Sequence, residues 1–221
     1  MGYERSRYSC LYNRKENRVI IVDTYEKRLL KMHNTILAWA TVAEEYQKEN
    51  KTRMVMVGLT YRNIDDYQGH HIGDYLRNVK KRLGKNILGY AWVAEMQKRG
   101  AVHYHIIMLL KPGSDLPKPD KKGYWVHGSS KIVTARSPYY LVTYVGKEYQ
   151  KDLSKYPKSC RLYSASVRWG EKAKQRYRLL AGLSGENKNG GENWEYNGSC
   201  VTENYTKRLR EDAERIVGNV S

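Results

Sequence analysis

Apolar runs and polar punctuation alternate along this chain, and their periods predict its elements. Residues 18–22 read as a short strand. Asp23-Thr24-Tyr25-Glu26 has the form of a capping box, opening a helix that runs to about Gln47. Leu29, Leu30, His33, Ile36, Leu37, Ala40 and Tyr46 give that helix its apolar stripe, which makes His33 a packing residue. Residues 53–61 are apolar on both faces, as a central strand is. Residues 72–83 read as a helix closed by Gly84. Two apolar runs follow, 86–96 and 101–110, then a Pro, Gly and Lys loop over 111–123 and a strand over 125–134. Ser137 suits an N-cap and Pro138 the first turn of a tyrosine-rich helix. Residues 161–168 read as a final strand. This order predicts an α+β fold: a central antiparallel sheet with flanking helices.

Around that domain the punctuation sets boundaries. Residues 1–181 read as the main domain, its first 15 residues a basic arm or leader. Residues 182–199, rich in Gly and Asn, read as a flexible linker. In residues 200–221, Val201, Tyr205, Leu209, Ala213 and Ile216 mark a C-terminal helix.

The strand over 101–110 carries His103 and His105, two apart and so on one face. Whether an acid joins them depends on the turn before it. A two-residue turn at Arg99-Gly100 would set Glu95 opposite Tyr104, on the wrong face. A three-residue loop, Lys98-Arg99-Gly100, sets Glu95 opposite His103, and Gly100 sits where that loop needs a left-handed residue. The second register is expected, with Glu95, His103 and His105 converging on one divalent ion. Manganese, magnesium, zinc or iron could be held; with phosphate as co-ligand, Mn2+ or Mg2+ is favoured.

The tyrosine helix places Tyr140 and Tyr144 one turn apart on one face, with Lys147 on the next turn. A phenol beside a polarised phosphate is a candidate nucleophile, although its reference pKa of about 10 makes it a weak one unaided. The bland alternative is packing, because the chain has 20 Tyr and no Phe. Adjacent His70 and His71 seldom bind one ion, so they read as loop or helix-start residues; His127 is a weaker ligand candidate beside Trp125.

Charge narrows the partner. The chain has 221 residues and a formal net charge of +17, which favours polyanions. Three widely spaced cysteines suggest no disulfide framework. Neither a signal peptide nor a long apolar run is visible, so an intracellular, non-membrane protein is expected, in the cytoplasm of a host cell.

Together, Gly58-Leu59-Thr60-Tyr61, Glu95 with Gly100-Ala101-Val102-His103-Tyr104-His105, and Tyr140-Leu141-Val142-Thr143-Tyr144-Val145-Gly146-Lys147 resemble the three motifs of the HUH endonucleases. Trp125-Val126-His127-Gly128 adds to the likeness, which is nearest to rolling-circle replication initiators of plasmids and small single-stranded DNA viruses or phages. The resemblance implies a ferredoxin or RNA-recognition-like fold. It implies nicking and joining of single-stranded DNA at an origin through a 5′-phosphotyrosine. Tyr144 would be the main nucleophile, Tyr140 a second one, and Lys147 an aid to catalysis. Thr60, Tyr61, Arg62, Lys98 and Arg99 would contact DNA. Two departures are visible: Thr143 stands where many members have lysine, and there is no Gly-x-x-x-x-Gly-Lys-Ser/Thr loop. A host helicase and DNA polymerase are therefore expected partners. Transposases and mobilisation relaxases share this chemistry, and a non-catalytic basic nucleic-acid binder is the alternative from another class. A metal oxygenase of cupin type is disfavoured, because its acid usually follows the histidine pair.

Overall fold

The structure is a computed structural model that describes residues 8–13, 18–148, 153–157, 160–182 and 194–200. The chain divides into two compact units, Met1–Lys31 with Leu183–Ser221, and Met32–Gly182.

The first unit holds a three-stranded antiparallel sheet, ordered β2-β1-β8, built from β1 (Tyr8–Asn13), β2 (Arg18–Asp23) and β8 (Trp194–Cys200). Two of these strands lie where the sequence suggests none. β1 falls in the segment read as an arm or leader, and β8 in the tract read as a linker. Both are short and mix polar with aromatic residues, a pattern that becomes a strand only once a partner strand is available. The expected C-terminal helix lies outside the described residues.

Helix α1 (Thr24–Glu49) begins at Asp23, whose Oδ1 accepts from the backbone N–H groups of Tyr25 and Glu26 at 2.8 and 3.2 Å. Its buried stripe is Leu29, Met32, Ile36, Trp39, Ala40 and Ala43, whereas Leu30 and Leu37 are exposed. The apolar face is thus rotated from the expected one, because Trp39 and Met32 bury more surface than either leucine would.

The second unit is built on a five-stranded sheet ordered β6-β3-β5-β4-β7, every neighbouring pair antiparallel. Its strands are β3 (Arg53–Tyr61), β4 (Ile87–Met96), β5 (Val102–Leu110), β6 (Gly128–Thr134) and β7 (Tyr163–Val167). With helices α2 (His71–Leu83), α3 (Tyr140–Glu148) and α4 (Glu171–Leu180), this is the expected α+β class. β4 and β5 are buried almost throughout, which explains why their sequences are continuous apolar runs. The strand expected over 125–134 starts only at Gly128; Trp125 precedes it and is fully buried. Helix α4 was not legible, because none of its ten residues is buried and no stripe marks it. No helix among the described residues is long and apolar enough to cross a membrane.

Candidate active site

The β4–β5 hairpin builds the site. The backbone N–H of Gln97 donates to Ala101 O at 2.9 Å, and that of Gly100 donates to Gln97 O at 2.8 Å. Gly100 has φ +87°, the left-handed conformation that a three-residue loop needs. The loop is therefore Lys98-Arg99-Gly100, and Glu95 pairs with His103, as the turn chemistry predicts. On the other side of β5, Thr60 of β3 pairs with His103 and Gly58 with His105. Side chains alternate along each strand, so one face carries two adjacent rows: Thr60, His103 and Glu95, then Gly58, His105 and Val93.

Within these rows the side chains meet. Glu95 Oε2 lies 2.7 Å from His105 Nε2, and the His103 and His105 ring centroids are 4.4 Å apart. His105 is only 7% exposed. Thr60 Oγ1 lies 2.7 Å from His103 Nδ1. Gly58 leaves room for this ring: a Cβ there would stand 3.3 Å from His103 Cε1 and 3.4 Å from Nε2. Burial pushes His103 down to about 4, with the His105 and Arg99 charges adding to the effect and Glu95 opposing it. At neutral pH this imidazole is uncharged, the form that binds metals.

Helix α3 covers the same face. The Tyr144 ring stacks on His105 at 3.5 Å and 21°, and Tyr140 meets Tyr144 edge-on at 5.6 Å. Burial raises the Tyr144 hydroxyl to about 12; a hydrogen bond with Tyr140 and the Glu95 charge push the same way. Tyr140 itself is half exposed. Lys147 is on α3, but its side chain lies outside the described residues.

These residues fit a divalent ion by donor type: two imidazoles and one carboxylate on a rigid strand pair, with a glycine gap beside them. Among the described residues, no three His, Cys, Asp or Glu side chains are gathered as a ready coordination shell. Glu95 and His105 hydrogen-bond to each other directly, and an ion would take the place of the proton between them.

The other residues expected at the site are distributed unevenly. Arg62 and Lys98 are exposed at its rim. Arg99 donates from its guanidinium to the carbonyls of Tyr61 and Arg62 and to Gln97 Oε1, tying the hairpin tip to the end of β3. Thr60 faces His103. Tyr61 points to the opposite face, is 1% exposed, and packs edge-on against Trp125 at 4.9 Å. A shallow cleft of about 390 Å³ is lined by Thr60, Tyr61, Arg62, Arg99, Asp120, Gly128 and Ser129, so four of the five residues expected to contact DNA border it.

A second imidazole group was not foreseen. His71 and His127 stack at 3.5 Å and 12°, with His70 edge-on to His71 at 4.6 Å. Tyr61 Oη lies 3.2 Å from His71 Nδ1. Nothing in the spacing of His70-His71 and His127 signals the pairing, which arises only because β6 and the start of α2 meet at Tyr61.

Residues 54–153 match the family model of the replication-associated protein ORF2/G2P, a stretch just under half the chain that spans nearly all of β3, the hairpin and α3. The match supports a replication initiator. No curated protein and no solved structure matches the chain.

Proposed function

We propose that this protein is an HUH-type, metal-dependent nickase and strand-transfer enzyme that initiates rolling-circle replication of a plasmid or small DNA virus or phage. One observation carries the reading: a phenol ring rests on an imidazole that also meets a carboxylate, on a face where a second imidazole lies alongside. The match to a replication-associated family supports the same conclusion, and the net charge of +17 suits a DNA substrate.

Glu95, His103 and His105 would hold manganese or magnesium, which when bound supplies positive charge to a non-bridging oxygen of the scissile phosphate. The rest falls to the chain's own side chains. Tyr144 attacks the phosphorus of a single-stranded origin. The Tyr144 Oη–P bond forms and the P–O3′ bond breaks. The proton leaving the phenol is balanced by the one taken up at the 3′ oxygen. The freed 3′-hydroxyl can prime a polymerase of the host. A phenolate leaves more readily than a sugar alkoxide, so the linkage stays reactive and joining can follow cutting. Tyr140 would make a second cut, and Lys147, on the next turn of α3, would compensate charge. The exposed Arg62 and Lys98 would meet the DNA backbone. Unwinding would come from a host helicase.

The test is a labelled single-stranded origin oligonucleotide with Mn2+. The native chain should form a covalent adduct and Tyr144→Phe none. Binding that is equal with and without metal, and no adduct, would instead mark a non-catalytic DNA binder. An adduct that persists in Tyr144→Phe and is lost in Tyr140→Phe would exchange the two tyrosines' roles.

A further inference from the structure

His103 is held at one nitrogen and open at the other. Its Nδ1 lies 2.7 Å from Thr60 Oγ1. The edge carrying Nε2 lies over Gly58, the residue paired with His105. A neutral imidazole has one N–H and one lone pair, and whichever nitrogen holds the proton is set by the partner of the other. If Thr60 accepts, the proton is on Nδ1 and the lone pair is on Nε2, over the glycine gap. If Thr60 donates, the positions reverse and an N–H would fill that gap. Only the first leaves a donor atom in the His105 row.

We propose that Thr60 is a positioning residue that fixes His103 in the Nδ1–H tautomer, presenting Nε2 as the ligating atom, while Gly58 keeps the space that Nε2 needs. The purpose assigned to that lone pair rests on the metal-centre reading above; the tautomer itself does not. The Thr60 hydroxyl meets the His103 ring, and it is through that histidine that this role is exerted. Threonine is suited to the place. Its β-branched side chain belongs on a strand, and its single hydroxyl faces the partner residue across the pair. Valine keeps that shape without the hydroxyl, and serine keeps the hydroxyl without the methyl.

Long-range ¹H–¹⁵N spectra of the metal-free, full-length protein read the tautomer, with the His103 signals assigned by their loss in His103→Asn. The native chain and Thr60→Ser should hold the Nδ1–H form. Thr60→Val should shift towards a mixture or the Nε2–H form with the remaining amide spectrum unchanged. In the same samples, Mn2+ affinity should fall about 10–100-fold in Thr60→Val and recover in Thr60→Ser. A native protein with the Nε2–H form overturns the proposal. So does a Thr60→Val protein with an unchanged tautomer, or a Thr60→Ser protein as weak in Mn2+ binding as Thr60→Val. The two readings fail separately. Nδ1–H in the native chain with no DNA adduct sinks the nickase and leaves the tautomer proposal standing; adduct formation with Nε2–H does the reverse.

Discussion

Two imidazole pairs lie on opposite faces of the same sheet, and they differ in what touches them. His103 and His105 stand two apart on one strand, with Glu95 within hydrogen-bonding distance of His105 and a phenol stacked on its ring. His71 and His127 come from separate elements and lie flat on each other, with the Tyr61 hydroxyl 3.2 Å from His71 Nδ1. Asp66 and Asp74 act on the second pair only through space. An imidazole stacked on another imidazole is an aromatic packing unit that works best uncharged. An imidazole beside a carboxylate can exchange a proton for a cation. Residue type alone therefore does not separate packing from chemistry; the neighbouring acid does.

The strongest way to break this comparison is to remove one member from each pair. Glu95→Ala and His105→Ala should lower adduct formation and Mn2+ affinity by at least about a hundredfold, since loss of even a ligand's supporting partner costs about 10–100-fold. His127→Ala should leave both unchanged apart from some lost stability. Isothermal titration with Mn2+ and the covalent-adduct assay read the two effects. Equal losses in His127→Ala and His105→Ala would mean that both faces of the sheet serve the reaction.

A smaller effect comes from the glycines that let each pair approach β3. Gly128 follows His127 and pairs with Tyr61; a Cβ there would stand 2.1 Å from Thr60 O and 2.7 Å from Arg62 N. Both atoms are backbone, so the strand end must move. Gly128→Ala should cost about 1–3 kcal/mol, the usual range for overpacking, by urea denaturation. Because Thr60 holds His103 and the Arg62 N–H donates to His127 O at 2.8 Å, the disturbance reaches both pairs. Gly58→Ala meets only the His103 ring, which can give by a few tenths of an ångström. It should cost less stability than Gly128→Ala yet still weaken Mn2+ binding. If Gly58→Ala proves the more damaging to stability, the ring of His103 is more tightly held than the hydrogen bond to Thr60 implies.

The first pair was legible in the sequence and the second was not, for a physical reason. A strand fixes i and i+2 on one face, and Gly100 fixes the hairpin register, so Glu95, His103 and His105 follow from local rules. Tyr144 over His105 needed one more step, the docking of α3, which helical spacing from Tyr140 suggests but cannot orient. The contact of His71 with His127 depends on tertiary packing between segments whose intervening chain carries no cue. The stripe of α1 is ambiguous in the sequence for a related reason. Leu30 and Leu37 are apolar, but Met32 and Trp39 fill the core better, and only the opposing sheet chooses between the two faces. Thr60 and Tyr61 adjoin in one motif and face opposite ways, yet both border the cleft that Arg62 and Arg99 share.

The mildest test uses pH. His71 and His127 are both held below the ordinary histidine range, first by burial and, for His71, next by the charge that His127 would carry. The unfolded chain therefore binds protons at these sites before the folded one does. Their contribution to stability is fully present above the unfolded value of about 6.5 and is lost as pH falls through the lower folded values. Urea midpoints measured from pH 7.5 down to 5 should decline, and His127→Gln should make the decline shallower, because one of the two protonation sites is gone and His71 no longer faces a second potential cation. The shift should be modest, since both rings are only half-buried and solvent screens them. A steeper decline in His127→Gln would mean that the stacked pair shares a proton, and that its face of the sheet resembles the Glu95–His105 face more than packing alone allows.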